Sequence, residues 1–267
     1  MFRYTIATAI FGLIGFSSCE KVIDIPLNEA EQRVVVEGLL MDQPGNNYII
    51  LSKTGSVYQE SDFEKLSGAT VTITDEAGTI YTLTEMPGMP GVYNHPTLEV
   101  LVDNDYDLSV TYNSEIFTSS VQTFYKPQLD SLNYLEQSGS FGPQTDTTYL
   151  VFFSFSDNAN QDNYYRINVY VNGVKDPNYY ITNDDLFNGE TYTQPAFATA
   201  VEKGDTVVIE LLSVDESNYD YFFSLSSNGS DDPFSPTPSN PVSNIEGGAI
   251  GYFGAYTSDT MSVIIPQ

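Results

Sequence analysis

The chain has few of the residues that build catalytic and metal sites. Among its 267 residues it has one cysteine, Cys19, one histidine, His95, and no tryptophan. A single thiol cannot form an internal disulfide, so packed cores must stabilise the protein. A zinc site needs further cysteine or histidine ligands, and a hydrolytic triad needs a nucleophile and an acid around its histidine. We therefore expect His95 to be a loop residue and the protein to have no catalytic or metal-binding residue.

Positive charge is also scarce. The chain has nine lysines and arginines and 36 aspartates and glutamates, which gives a formal net charge of −27 at pH 7. Such a field repels nucleic acid and anionic membrane surfaces, so neither is expected as a partner. The 20 tyrosines, 16 phenylalanines and a hydrophobic fraction of 41% are nevertheless too many for a disordered acidic chain. They indicate a folded protein.

An apolar run at the start of the chain is too short to span a bilayer comfortably. Residues 4–16 are mostly apolar, follow Arg3 and precede the Ser-Ser-Cys sequence that ends at Cys19. A membrane-spanning helix needs about 20 apolar residues. A basic start, a short apolar core and small residues at its end are instead typical of a secretory signal. We expect residues 1–18 to be a lipoprotein signal peptide.

Cys19 closes this segment in the sequence pattern of a bacterial lipobox. Lipoprotein signal peptidase cuts before such a cysteine, whose thiol carries a diacylglycerol and whose freed α-amine is acylated in turn. Two acyl chains already suffice for stable membrane attachment. We therefore expect Cys19 to be the lipid attachment site and residues 19–32 to form an acylated, acidic tether. The alternatives are an ordinary cleaved signal or a buried N-terminal helix with an incidental thiol.

Apolar and polar residues alternate with a period of two in the first half of the mature chain. Residues 33–41 and 47–53 are β-branched runs separated by a turn sequence, and residues 67–86 and 105–124 predict two hairpins. Short strands at this spacing are typical of a small β-sandwich. We expect the N-terminal β-sandwich to span residues 33–126.

Pro127 interrupts strand pairing, and the pattern restarts after it, which predicts a C-terminal β-sandwich over residues 127–267. Residues 174–204 are rich in Asn, Asp, Tyr and Pro and predict a long loop. Residues 217–228 have helical spacing and predict a short helix. Four glycines within residues 247–254 predict a bulge or a close backbone approach. The expected fold class is mainly β, with two β-sandwich modules of immunoglobulin-like or transthyretin-like type and one short helix in the second.

Several segments of the mature chain are together similar to one known family. They include VVVEGLL, YIILSKT, GATVTITDEAG, YYRINVY, GDTVVIELLSVD and SNIEGGAIGYFGAY. Over residues 20–265 the chain resembles the Bacteroidota envelope lipoprotein family catalogued as domain of unknown function 4249 (DUF4249). The resemblance implies a cell-envelope lipoprotein whose gene often lies beside that of a TonB-dependent outer-membrane receptor. It supplies no catalytic residue.

The lipobox and the resemblance predict a lipid-anchored outer-membrane protein that is not an enzyme. Its expected role is that of an accessory or binding subunit associated with a TonB-dependent transporter. The alternative is a surface carbohydrate-binding or adhesive module that acts without a transporter; an enzyme is the second alternative. Glu20 and Lys21, directly after Cys19, favour surface display of the anchored protein over a periplasm-facing orientation.

Three acidic clusters, at residues 103–107, 157–162 and 183–185, offer oxygen ligands for calcium. None has EF-hand spacing, and Asp and Asn are also common residues of tight turns. We therefore expect no cofactor apart from the lipid on Cys19, with calcium as the open alternative. Four tripeptides resemble a short O-glycosylation motif of Bacteroidota envelope proteins. They begin at Asp130, Asp146, Asp205 and Asp259.

Overall fold

The computed structural model describes residues 31–43, 45, 47–55, 63–137, 148–228 and 240–267, with the backbone alone for residues 197–200, 227 and 228. Within these residues the fold is mainly β, with fifteen strands and one helix, which confirms the expected fold class. The strands are β1 (Val34–Met41), β2 (Tyr48–Lys53), β3 (Thr70–Asp75), β4 (Ile80–Glu85), β5 (Val92–Asn94), β6 (Asp105–Tyr112), β7 (Glu115–Gln122), β8 (Leu129–Gln137), β9 (Thr148–Ser156), β10 (Tyr164–Val171), β11 (Val174–Lys175), β12 (Tyr180–Asn183), β13 (Thr191–Val201), β14 (Thr206–Val214) and β15 (Ile250–Ile264). The helix, α1, spans Glu216–Asn228. In the part of the chain that the structure describes, no helix has the length and apolar character needed to cross a membrane.

The strands form one large sheet and one small sheet. The large sheet has the order β11-β10-β14-β15-β1-β2-β5-β4-β3-β6-β7, and β12 also pairs with β10. The small sheet has the order β13-β9-β8. A first core contains inward side chains of β1 to β7, and a second core contains side chains of the small sheet together with those of β10 and β14. The two cores give the layered, sandwich-like arrangement that alternating strands require.

The last strand, β15, links the two halves of the chain. It pairs in parallel with β1, from Val35 opposite Ile250 to Met41 opposite Tyr256. Its remaining residues pair antiparallel with β14. β15 therefore lies between β14 and β1 and joins the strands of the N-terminal and C-terminal halves into one sheet. The expected division of the chain between residues 126 and 127 stays a prediction.

The hairpins predicted from alternation are present. Val71 lies opposite Leu83 in the β3–β4 pair, and β6 pairs with β7 along its whole length. The β6–β7 turn has positive φ values of 49° at Asn113 and 69° at Ser114. Two such residues form the turn that suits the right-handed twist of paired strands. The local sequence is therefore sufficient to set these registers.

The prediction of a long loop over residues 174–204 was wrong. This segment contains β11, β12 and β13, of which the first two pair with β10 and the third pairs with β9. Pro195 lies within β13 opposite Phe152, which is possible because β13 is at the edge of the small sheet. Both residues of β11 are exposed and all four residues of β12 are half-buried, so neither strand has the alternation of buried and exposed side chains from which a strand is predicted.

The predicted helix is confirmed, and it begins one residue earlier than expected. Asp215 caps it: its Oδ1 accepts the N–H of Asn218 at 2.7 Å. The Ser217 hydroxyl donates to the same oxygen at 2.9 Å. An aspartate before the first helical residue satisfies an amide that has no partner within the helix. The helix ends at Asn228, which is the predicted last residue.

The glycine-rich segment before and within β15 makes the close backbone approaches that were predicted. Gly251 has a φ of +119°, and a Cβ atom there would overlap the carbonyl oxygen of Val36 on β1. Gly247 has a φ of +88°, and its Cβ would overlap the carbonyl oxygen of Ile116 on β7. Glycine is needed at both positions because a side chain would separate the strands.

Candidate functional site

The two residues singled out in the sequence, Cys19 and His95, differ in what the structure shows of them. Cys19, the predicted lipid attachment site, lies outside the described residues. The ring of His95 packs edge-on against Tyr81, with 5.4 Å between ring centroids. Its Nδ1 is buried and has no hydrogen-bond partner among the described residues. Nothing in these contacts gives His95 the orienting acid that a general base requires.

Side chains of the three acidic clusters make hydrogen bonds that join neighbouring strands and loops. Asp107 accepts the hydroxyl hydrogen of Ser120 at 2.5 Å, and Asp157 accepts the N–H of Gly189 at 2.8 Å. Asp184 accepts the backbone N–H of Asn163 at 3.0 Å, and burial raises the pKa of this carboxyl. Among the described residues, no group of three or more His, Cys, Asp or Glu side chains is placed to hold a metal ion.

A cavity that the sequence did not reveal lies on the outer face of the large sheet. Its volume is about 380 Å³. Its lining comes from six strands and comprises Leu39, Met41, Tyr48, Arg166, Asn168, Tyr170, Lys175, Glu210, Leu212 and Tyr252. Small-molecule sites in proteins have volumes of this order and combine apolar walls with a few polar groups.

Alternation along β10 explains why the cavity is polar. Tyr165, Ile167 and Val169 face the second core, so the residues between them face the opposite side of the sheet. On that side, Arg166 lies opposite Leu212 and Asn168 lies opposite Glu210. The sheet pairing therefore brings one guanidinium and one carboxylate to neighbouring positions.

Arg166 is the most unusual residue of the cavity. It is 7% exposed, and its Nε atom has no hydrogen-bond partner. The guanidinium carbon lies 4.0 Å from the ring centre of Phe222 and 5.3 Å from that of Tyr179. Aromatic faces attract a cation in this position. Among the described residues, neither of the two ion pairs includes Arg166, so its charge is buried without a carboxylate within 4 Å.

Glu210, the one carboxylate in the cavity lining, has other partners. Its Oε2 accepts the side-chain N–H of Asn168 at 2.8 Å and the hydroxyl hydrogen of Tyr170 at 3.0 Å. Burial, followed by the charge of Glu210, raises the pKa of Tyr170 to about 12. The phenol therefore stays protonated at neutral pH and remains a donor to Glu210.

The other ionisable groups of the cavity also respond to burial. Burial raises the pKa of Tyr252 far above its ordinary value, and it raises that of Tyr48 as well. Lys175 lies at the exposed rim, where desolvation of its amine and the charge of Arg166 lower its pKa to about 8. At neutral pH the cavity therefore has protonated phenols, a guanidinium and a largely protonated amine.

The sequence does contain one signal for this site. Arg166 stands in the middle of YYRINVY, a strand of aromatic and β-branched residues, in a chain that has nine lysines and arginines. Burying a charge costs free energy unless a partner compensates for it, so a charged residue at this position indicates a partner or a function. The remaining cavity residues come from distant strands, and no local pattern connects them.

We expect Arg166→Met to leave the free energy of unfolding unchanged or to raise it by up to about 2 kcal/mol. Replacing a buried charge by an apolar side chain of similar length removes its desolvation cost. The lost attraction to the aromatic rings, about 1 to 2 kcal/mol, offsets part of that gain. Urea unfolding measures the change.

The matched control for this variant is Arg33→Met. Arg33 is exposed, and its Nε donates to the Gly248 carbonyl at 3.0 Å. Loss of this exposed contact is expected to lower the free energy of unfolding by no more than about 1 kcal/mol. A fall of more than about 2 kcal/mol for Arg166→Met would show that the protein itself satisfies the buried guanidinium.

Comparison with known proteins places the whole body of the chain in one family. The family model described as "Domain of unknown function (DUF4249)" matches residues 20–262. Five chains of solved structures match, among them an α-L-rhamnosidase from Dictyoglumus thermophilum. It shares 11% identity at a TM-score of 0.26, over 69% of this chain and 27% of the rhamnosidase, a likeness too weak to support an argument. A search of curated proteins found no significant match.

Proposed function

Since the chain belongs to the DUF4249 family, we propose that it is an acylated outer-membrane lipoprotein of a Bacteroidota bacterium. In this proposal it is a non-catalytic accessory or binding subunit associated with a TonB-dependent transporter. The observation that carries the proposal is the point at which the family match begins. The match starts at residue 20, directly after Cys19, the cysteine of the predicted lipobox. The apolar segment before it thus lies outside the family region, as a removable signal would.

The charge of the chain supports a covalent anchor. At −27 the protein is repelled by anionic headgroups, so electrostatic attraction does not hold it at a membrane. Acyl chains act independently of that charge, since each buried methylene contributes about 0.8 kcal/mol. We propose that Cys19 carries these chains and that the folded body faces the cell exterior. Protease added to intact cells would then cleave the protein, whereas a periplasm-facing protein would be protected.

The cavity supports a binding role over a catalytic one. Its polar groups are mainly hydrogen-bond donors, from Arg166, Lys175 and the phenols of Tyr48 and Tyr252. The one carboxylate in its lining, Glu210, already accepts two hydrogen bonds from neighbouring side chains. The cavity lining contains no histidine and no second carboxylate that could act together with it as an acid–base pair. The arrangement therefore suits the holding of a ligand.

We expect Cys19→Ser to abolish acylation and to remove the protein from the outer-membrane fraction of its native host. The reason is that serine cannot form the thioether on which signal cleavage and anchoring depend. Labelling with radioactive palmitate, together with cell fractionation, measures both effects. Ser18→Ala is the matched control: it keeps a small residue before the cysteine and should leave labelling and fractionation unchanged.

The transporter partner is tested by purification of the wild-type protein in mild detergent. The proposal predicts that a β-barrel receptor co-purifies with it. Recovery of free monomer alone would contradict the accessory role, and glycan binding by that monomer would favour a surface carbohydrate-binding module. A mass spectrum that shows a bare thiol or an uncut leader would contradict the anchor.

A further inference from the structure

The cavity contains hydrogen-bond donors that have no acceptors. The Nε atom of Arg166 is buried without a partner. The hydroxyls of Tyr48 and Tyr252 line the same space and donate to no acceptor among the described residues. Among these donors only the Nε atom of Arg166 is buried, and a buried donor without an acceptor is costly. A ligand that brings acceptor atoms into the cavity would satisfy these donors.

The charges of the lining indicate how much negative charge such a ligand can carry. Arg166 and Lys175 are positive and Glu210 is negative, so one further negative charge balances the lining. Glu37, on β1, is close enough to raise the pKa values of Tyr48 and Tyr252. A dianion would therefore meet excess negative charge, in a chain that is already strongly acidic. A monoanion fits best.

The geometry around the guanidinium indicates which anion fits. The ring centres of Phe222 and Tyr179 lie 4.0 Å and 5.3 Å from the guanidinium carbon and 5.3 Å from each other, so both rings lie on one side of the guanidinium and leave its other side to a ligand. A planar guanidinium edge binds a carboxylate through two parallel hydrogen bonds. Leu39, Met41 and Leu212 provide an apolar wall in the same cavity. The volume, about 380 Å³, is sufficient for a small organic molecule.

We propose that this cavity binds a small monocarboxylic acid with an apolar body. Arg166 holds the carboxylate at its N–H edge, the hydroxyls of Tyr48 and Tyr252 donate further hydrogen bonds to it, and the apolar part packs on the leucine and methionine wall. This ligand class rests on the proposed binding role, and it depends neither on the lipid anchor nor on the transporter.

The test is calorimetric titration of the full-length protein in mild detergent with two acids, benzoate and hexanoate. Benzamide and phenyl phosphate are the matched comparison probes, because they replace the carboxylate by a neutral amide and by a dianion. Saturable binding of at least one acid is expected, with binding of both comparison probes weaker by about tenfold or more.

Arg166→Met is expected to weaken binding of the acid by about thirtyfold or more, since it removes charge-assisted hydrogen bonds. Arg166→Lys keeps the charge but cannot make two parallel hydrogen bonds to the carboxylate, so an intermediate loss of affinity is expected. Lys203→Met removes an exposed cation outside the cavity lining and should leave binding unchanged. Thermal unfolding of each variant shows that it is folded before it is titrated.

The affinity of the cavity for the acid should depend on pH, and this dependence is a second test of the proposal. Arg166 and Tyr170 on β10 and Glu210 on β14 surround Lys175, whose pKa is about 8. A bound carboxylate favours the protonated amine, so affinity should fall as the pH rises through about 8. Lys175→Met should remove this dependence and keep most of the binding.

Three results would overturn the proposal: no saturable binding of either acid, equal binding of benzamide, or full binding by Arg166→Met. These results leave co-purification with a receptor unaffected. A protein that binds acid and purifies without a receptor would contradict the accessory role alone. The two proposals can therefore fail separately.

Discussion

Gly251→Ala is expected to lower the free energy of unfolding by about 3 kcal/mol or more. The residue has a φ of +119°, and an added Cβ would overlap the carbonyl oxygen of Val36 in the neighbouring strand. Backbone strain of this kind costs about 1 to 3 kcal/mol, and the overlap adds to it because β1 must move away. Urea unfolding of the purified protein measures the loss.

Gly78→Ala is the matched control. Gly78 also has a positive φ, of 82°, but no atom lies within 4 Å of its added Cβ. Its expected cost is about 1 to 2 kcal/mol, from the backbone conformation alone. Equal losses for the two variants would show that the parallel pairing of β1 with β15 is not the source of the effect at Gly251.

Asn218→Ala is expected to lower the free energy of unfolding by about 3 kcal/mol. Asn218 is completely buried, its Nδ2 donates to the Phe253 carbonyl at 2.8 Å, and its Oδ1 accepts the Tyr256 hydroxyl at 2.6 Å. Burial raises the pKa of Tyr256 well above its ordinary value, so this hydroxyl stays protonated. The substitution leaves it without an acceptor, and each buried unsatisfied group costs about 1 to 3 kcal/mol.

The control on the same helix is Asp220→Ala, which removes an exposed side chain and should change the free energy of unfolding by no more than about 0.5 kcal/mol. A double-mutant cycle of Asn218→Ala with Tyr256→Phe isolates the bond between the two residues. A coupling energy near zero would contradict the role of this bond in holding α1 against β15.

The local parts of the fold could be predicted from the sequence. Alternation set the hairpin of β3 and β4, with Val71 opposite Leu83, because a one-residue shift would expose every buried side chain. The aromatic spacing after Asp215 predicted the helix. The parallel pairing of β1 with β15 could not be predicted, since the two strands are separated by most of the chain. The glycines of β15 predicted close approach but did not identify Val36 as the neighbour.

The candidate site could be predicted only in part. Cys19 is recognisable because its reaction depends on a short, contiguous pattern. The cavity depends on pairings such as Asn168 with Glu210, which only the folded sheet establishes. The strand containing Arg166 was recognised as a strand, and the cost of its buried charge becomes evident only when Phe222 and Tyr179 are placed over it. Binding sites built from several strands lack a sequence motif for this reason.

The central claim, that Arg166 is a buried cation available to a carboxylate ligand, can be tested by NMR of the arginine side chains. Arg3, Arg33 and Arg166 are the arginines of the chain, and the first is removed with the predicted signal. In protein labelled with ¹⁵N-arginine, the Nε–H signal of Arg166 is identified by its loss in Arg166→Met. Saturating benzoate or hexanoate is expected to shift this signal and to slow its exchange with water, while the Arg33 signal stays in place. An Arg166 signal that neither acid changes would contradict the binding of a carboxylate at Arg166.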